Sequence, residues 1–127
     1  FISRLKNLRV LEFTNVNFIN DEVIEIIANS MPNLEYVGLS NCKLVKGTTL
    51  GLLLRKCPNV SSLILSDTCI DDSALFSIDW SNSKVDEIDL SGCDLVSNIG
   101  LAYVLGCLKN IQYLRLDRCG IGRAFGD

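Results

Sequence analysis

Residues 34–44 read Leu34-Glu35-Tyr36-Val37-Gly38-Leu39-Ser40-Asn41-Cys42-Lys43-Leu44, and this stretch decides the fold. Its apolar residues stand at the first, fourth, sixth and eleventh positions, and a cysteine stands at the ninth. Four other stretches repeat this spacing; they begin at Leu8, Val60, Val85 and Ile111. Successive starting residues are 26, 26, 25 and 26 residues apart. A pattern with so regular a period indicates a chain built from stacked supersecondary units.

Each stretch predicts a short β-strand, because apolar residues alternate with others, as in Val37-Gly38-Leu39 and Ile88-Asp89-Leu90. Between the stretches, apolar residues recur at spacings of three and four, which is typical of one face of an α-helix. The predicted core positions of the helices are Ile24, Ile27, Met31, Leu50, Leu53, Cys57, Leu75, Ile78, Leu101, Val104 and Leu108. One strand and one helix per unit predict parallel strands joined by right-handed crossovers.

The helices have predicted ends as well. Asn20, Asp71 and Ser97 stand at equivalent positions before the first, third and fourth helical segments, and each can cap a helix N-terminus. Pro32 and Pro58 follow the first two segments, where proline cannot continue a helix.

The predicted fold class is therefore α/β, a right-handed solenoid with about five repeats of about 26 residues. Neighbouring strands stack about 4.8 Å apart, whereas packed helices need about 8–10 Å. The array must bend into a horseshoe arc, with the strands on the concave face and the helices on the convex face. Residues 1–127 are predicted to form one domain, which we expect to belong to a longer array.

The third unit is irregular, since it is one residue short and carries the single tryptophan, Trp80. Two interpretations are open. In the first, Trp80 folds back over a shortened helix and fills the core. In the second, it is an exposed aromatic anchor for a partner on the convex face.

Three of the six cysteines, Cys42, Cys93 and Cys119, occupy the ninth position of their stretches, and Thr68 takes this position in the third. A small thiol or hydroxyl there can donate a hydrogen bond to a backbone carbonyl at the turn. The chain has no histidine and no Cys-x-x-Cys pair, so no metal site is predicted. Reduced, buried thiols favour a cytoplasmic or nuclear location.

Composition excludes several functions. The net charge of -3 does not favour a nucleic-acid partner, and no apolar run is long enough for a membrane span. Without histidine there is no Ser-His or Cys-His pair, and no glycine-rich phosphate loop is present. We therefore expect no catalytic residues, no cofactor and no enzymatic activity.

The sequence resembles the cysteine-containing, ribonuclease-inhibitor-like leucine-rich repeats. The resemblance covers nearly the whole chain and depends on the ninth-position cysteine, the period and the run Cys57-Pro58-Asn59-Val60. It implies a protein-interaction module, most like the substrate-recognition repeats of F-box (SCF) ubiquitin ligases. These residues contain no F-box-like segment, so a Skp1-type adaptor is expected only if an F-box lies outside them. The alternative that the resemblance leaves open is a leucine-rich-repeat scaffold or regulator unconnected with ubiquitin ligases.

The apolar positions of each stretch, the eleventh included, are predicted to be buried in the core. Strand alternation then predicts the binding surface, because residues between the buried positions must point to the concave face. They form three columns, which begin at Val10, Glu12 and Thr14. The candidate partner-binding residues are Glu12, Tyr36, Ile64, Glu87, Asp89, Tyr113, Arg115 and Asp117. Their acidic balance predicts a partner with a basic segment. The alternative is a solvated spacer face on which Asp89 and Arg115 pair with each other.

Overall fold

The computed structural model describes residues 5–119, and within them the chain is an α/β structure. The strands are β1 (Val10–Thr14), β2 (Tyr36–Ser40), β3 (Ser62–Ile64), β4 (Glu87–Asp89) and β5 (Tyr113–Arg115). The helices are α1 (Asp21–Ser30), α2 (Leu50–Lys56), α3 (Asp72–Phe76) and α4 (Asn98–Cys107), and a 3-10 helix covers Trp80–Asn82. We call each strand, together with the segment that leads to the next strand, a unit.

The five strands form one parallel sheet in the order β1-β2-β3-β4-β5. Equivalent residues of the five stretches lie side by side: Leu11 pairs with Val37, then Leu63, Ile88 and Leu114 follow. The parallel sheet and the pairing of consecutive strands confirm the predicted α/β class.

The core lies between the sheet and the helices. From the strands it receives Val37, Leu39, Leu63, Leu65, Ile88 and Leu90, and from the helical segments Ile24, Ile27, Leu50, Leu53, Leu75, Ile78, Val104 and Leu108. The predicted helix face is confirmed at these positions. Leu101 is an exception, since it is only half-buried.

The last apolar position of the pattern was predicted to be a core position, and this is wrong in three units. Phe18, Leu44 and Leu95 are 70%, 47% and 60% exposed. The next residue in each unit, which is Ile19, Val45 or Val96, is buried instead. In the third unit Ile70 fills this buried place, because that unit lacks one residue just before the helix cap. Ile121, the last apolar residue of the fifth stretch, lies outside the described residues.

Three helices begin as predicted. The side chains of Asn20, Asp71 and Ser97 accept hydrogen bonds from backbone amides in the first turns of α1, α3 and α4, at 3.0, 2.8 and 3.2 Å. These bonds satisfy amides that have no partner inside a helix. α2 differs, because it begins after Thr49, whose side chain makes no capping bond.

Two aspartates connect neighbouring units on the helix side. The Asp21 carboxylate accepts hydrogen bonds from the backbone amides of Lys46 and Gly47, at 3.2 and 3.0 Å. Asp72 occupies the equivalent position in the third unit and accepts from the amide of Ser97 at 2.8 Å. In the second unit this position is Gly47, which has no side chain with which to reach the third unit.

The tryptophan of the third unit is buried. Trp80 is 1% exposed, and its indole nitrogen donates a hydrogen bond to the carbonyl of Leu75 at 3.0 Å. It lies just beyond the short helix α3 and belongs to the core cluster. The interpretation that Trp80 covers a shortened helix is confirmed, and the interpretation as an exposed anchor is wrong.

The turn cysteines behave as the sequence predicts. The Cys93 thiol donates to the carbonyl of Leu65 at 3.1 Å, and the Cys119 thiol donates to that of Leu90 at 2.7 Å. Each bond crosses to the preceding unit. Thr68 differs, because its hydroxyl donates to the Leu65 carbonyl of its own unit at 2.7 Å. Burial raises the pKa of the Cys93 thiol above its ordinary value.

A left-handed residue follows each strand, and this was not predicted. The φ angles of these residues lie between 55° and 74°; they are Asn15, Asn41, Asp67, Gly92 and Arg118. Asparagine, aspartate and glycine tolerate this conformation best, whereas arginine rarely adopts it. The Arg118 guanidinium contacts the Asp67 carboxylate at 3.2 Å, which is an ion pair between the third and fifth units.

Gly92→Ala is expected to lower the free energy of unfolding by about 1–3 kcal/mol. Gly92 has a φ of 74°, and an added Cβ would lie 1.9 Å from Oδ1 of Asp67. The measurement is urea unfolding followed by circular dichroism. The double variant Asp67→Gly/Gly92→Ala removes the side-chain clash, keeps the strain at position 92 and adds none at the left-handed position 67. Gly92→Ala should therefore cost less in the Asp67→Gly background than in the parent. Parent-like stability of the single variant would contradict the turn geometry.

Candidate functional site

The predicted columns lie side by side on the exposed face of the sheet. The first column aligns Val10, Tyr36, Ser62, Glu87 and Tyr113, and the second aligns Glu12, Gly38, Ile64, Asp89 and Arg115. In β3 and β4 these residues are half-buried and the residues between them are buried. The structure therefore brings the strand residues of the predicted site onto one surface, which we call the sheet face.

Tyr36 lies in β2, on the sheet face. A Cβ added to Gly38 would lie 3.1 Å from Cε1 of Tyr36 and 3.2 Å from Cγ of Glu12. The tyrosine ring therefore leans over the glycine, and a larger residue at position 38 would push it away. Gly38 was not among the predicted site residues. Its signal in the sequence is a glycine inside a strand, which often marks a close approach of another group.

The sheet face is acidic around this ring. Burial raises the pKa of the Tyr36 hydroxyl, and the charges of Glu12, Glu87 and Asp89 raise it further. Within residues 5–119 these three carboxylates form no salt bridge, since the ion pairs there are Arg9–Glu35 and Arg118–Asp67. A cation approaching the sheet face near Tyr36 thus meets carboxylates that form no salt bridge within residues 5–119.

The suggested pairing of Asp89 with Arg115 is wrong. The two residues are neighbours in the strand register, yet no salt bridge joins them. Asp89 instead accepts a hydrogen bond from the backbone amide of Ser91 at 2.9 Å. Arg115 is exposed. Both side chains therefore keep charge available for a partner.

Most residues of the third column form side-chain hydrogen bonds within the protein. The hydroxyl of Ser66 donates to that of Ser40 at 2.9 Å, and the hydroxyl of Ser91 accepts from the amide of Asp117 at 3.1 Å. Ser91 is buried, whereas Asp117 is exposed. Of this column, Asp117 is the predicted site residue, and its side chain lies at the edge of the sheet face.

The described residues offer neither a metal site nor a membrane span. Within residues 5–119 no cluster of three or more His, Cys, Asp or Glu side chains could hold a metal ion. In the same part of the chain, no helix has the length and apolar character to cross a bilayer.

The fold and the sheet face define a class of protein. Such a protein consists of consecutive strand–helix units and presents one face of a parallel sheet to the solvent. No protein-family model matches the chain. Among curated proteins it is similar to F-box/LRR-repeat protein 4 of Bos taurus, with 28% identity over 111 residues, or 86% of this chain. The chain spans 18% of the length of that relative. The similarity suggests a leucine-rich-repeat relationship and, with it, a protein-interaction module.

Proposed function

We propose that the chain is a leucine-rich-repeat solenoid of about five repeats that binds a partner protein through the sheet face, on the concave side of its arc. One observation carries this proposal. The column residues of five strands stand in register on one surface, and the carboxylates of Glu12, Glu87 and Asp89 form no salt bridge within residues 5–119. Such a surface provides side chains of several types without any reorganisation of the backbone.

The partner segment is basic and partly apolar. Glu12, Glu87 and Asp89 attract Lys or Arg, because all three lie in the columns of the sheet face and form no salt bridge within residues 5–119. Ile64 and Tyr113 supply apolar contact area, and Tyr113 is 61% exposed. Aromatic side chains of this kind often carry much of the binding energy at an interface.

In the larger protein we propose that these repeats recognise the substrate of an F-box-type (SCF) ubiquitin ligase. The similarity to a protein named for an F-box and leucine-rich repeats supports this role. A Skp1-type adaptor would then bind an F-box outside the chain described above. The chain itself is proposed to be non-enzymatic, and its free cysteines support a cytoplasmic or nuclear location.

The double variant Tyr113→Ala/Asp89→Lys is expected to weaken partner binding at least about tenfold, since it removes an aromatic anchor and reverses a charge. The measurement is isothermal titration with the partner that copurifies with the full-length protein. Circular dichroism should show an unchanged fold, because neither position contributes to the core cluster.

A matched control carries the same kinds of change on the helix side. Ile26 is 64% exposed in α1 and Glu25 beside it is also exposed, so Ile26→Ala/Glu25→Lys should bind like the parent. Equal affinity of the parent and the sheet-face variant would show that the wrong face has been chosen.

Purification of the full-length protein tests the ligase role separately. Recovery of a Skp1-type adaptor together with the partner supports it. Recovery of the partner without the adaptor, under conditions that preserve known ligases, favours a leucine-rich-repeat scaffold outside the ubiquitin system and leaves the sheet-face assignment intact.

A further inference from the structure

The outer face of α4 differs from that of α1, although both helices have ten residues and equivalent caps. In α1 the outward positions are Glu22, Glu25, Ile26 and Asn29, and in α4 the equivalent positions are Ile99, Ala102, Tyr103 and Gly106. All eight residues are exposed. α4 has no charged residue at all, so its outer face is apolar where that of α1 is polar. A helix that is apolar all round is ordinarily covered on both sides.

The apolar face of α4 continues onto the third unit. The ring of Phe76, in α3, lies edge-on against the ring of Tyr103, with 5.2 Å between their centroids and 84° between their planes. Phe76 is 43% exposed, Tyr103 40% and Ile99 68%. We call these three residues the aromatic patch. Exposed apolar clusters of this kind mark interaction sites more often than single exposed residues do.

The 3-10 helix packs against α4, and Asp79, the residue just before it, brings a carboxylate near the aromatic patch. Asp79 accepts hydrogen bonds from Ser81 and Asn82, at 2.6 and 2.9 Å, and these bonds lower its pKa, so it stays ionised at neutral pH. The pKa of Tyr103 is raised chiefly by the neighbouring Cys107 thiol, and the charge of Asp79 is a smaller cause. No salt bridge to Asp79 forms within the described part of the chain.

Asp79 also lines a cavity of about 360 Å³ between α2 and the 3-10 helix, together with Leu54, Arg55 and Pro58. This cavity exists where the shortened helix α3 ends. Arg55 lines the same cavity, but no salt bridge joins it to Asp79. Aromatic faces beside a carboxylate attract Lys and Arg side chains.

We propose that the aromatic patch and Asp79 form a second docking surface, on the helix side, for a partner segment that presents apolar side chains beside a Lys or Arg. The occupant follows from charge complementarity: Asp79 forms no salt bridge within residues 5–119, and the outer face of α4 next to it carries no charge. This surface lies on the opposite side of the core from the sheet face, and its occupant need not be the partner bound there.

The test uses a pair of synthetic amphipathic helical peptides with the same leucine pattern, one with lysine and one with glutamate at its polar positions. Each is titrated into the isotopically labelled chain and followed by NMR. We expect the lysine peptide to shift the amides around Phe76 and Tyr103, and the glutamate peptide to bind at least about fivefold more weakly. Equal shifts with both peptides, or shifts confined to the sheet face, would overturn the proposal.

Variants locate the contact. Tyr103→Ser should weaken binding of the lysine peptide at least about tenfold, as expected for an aromatic anchor. Asp79→Asn should weaken it about two- to fivefold, as expected for an exposed ion pair. Ile26→Ser, at the equivalent position of α1, and Glu12→Gln, on the sheet face, should bind like the parent. Loss of peptide binding in Glu12→Gln but not in Tyr103→Ser would refute the second surface while supporting the first.

Two other occupants of the second surface would give different experimental results. Concentration-dependent dimerisation that Tyr103→Ser abolishes would replace the proposed partner by a second copy of the chain. Sedimentation with neutral phosphatidylcholine vesicles, again lost in Tyr103→Ser, would replace it by a lipid surface. Either result would overturn the proposal as stated.

Discussion

Replacing Leu63 with alanine is expected to lower the free energy of unfolding by about 2–5 kcal/mol, the range for large-to-small substitutions in a packed core. Leu63 is completely buried and lies in the middle strand, between Val37 and Ile88. The truncation leaves a cavity that both neighbouring strands must tolerate. Urea unfolding of the parent and the variant, followed by circular dichroism, measures the difference.

Leu44→Ala is the matched control, since it removes the same atoms from a leucine that is 47% exposed. Its expected cost is below about 1 kcal/mol, because much of that side chain is already in water. A Leu63→Ala variant with the unfolding midpoint of the parent would contradict the assignment of Leu63 to the core. A large loss in Leu44→Ala would contradict the corrected position of the last apolar residue.

Trp80→Ala is expected to be at least as severe, with a loss of about 3–5 kcal/mol. The indole is 1% exposed and covers the end of the short helix α3, so alanine opens a large cavity in the third unit. The variant also loses the hydrogen bond to the Leu75 carbonyl. Thermal unfolding by circular dichroism is the appropriate measurement, because Trp80 is the single tryptophan and its removal abolishes the fluorescence signal.

Trp80→Phe separates packing from hydrogen bonding. It retains an aromatic ring and lacks the indole N–H, so its loss should be smaller than that of Trp80→Ala. In the parent, the tryptophan emission should be blue-shifted and move to longer wavelength on unfolding. Parent-like stability of Trp80→Ala, or emission typical of an exposed indole, would contradict a buried role.

The sheet and the helix face were predictable because each depends on a short-range period that repeats. Alternation assigned Leu63 and Ile88 to the core, and spacings of three and four did the same for Leu53 and Val104. The prediction for the last apolar position failed because this position lies in a turn, where no period decides which residue points inward. Ile19, rather than Phe18, is buried there.

The sheet face was predictable as a set of columns, because strand register follows from the spacing of the stretches. Its side-chain geometry was not predictable. The position of the Tyr36 ring over Gly38 depends on rotamers, which a sequence pattern does not encode. The same holds for Asp89, which accepts a hydrogen bond from the Ser91 amide instead of pairing with Arg115. The aromatic patch was not predicted either, because Phe76 and Tyr103 belong to different units and no pattern within one unit shows their contact.

The carboxylates of Asp21 and Asp72 divide the helical layer into two tethered pairs, the first unit with the second and the third with the fourth. Between these pairs, glycine replaces aspartate, and two cavities lie between the second and third units. The sheet runs through this junction without interruption. We therefore expect the junction to exchange its amide protons fastest on the helical side, and any bending between units to concentrate there while the sheet stays intact.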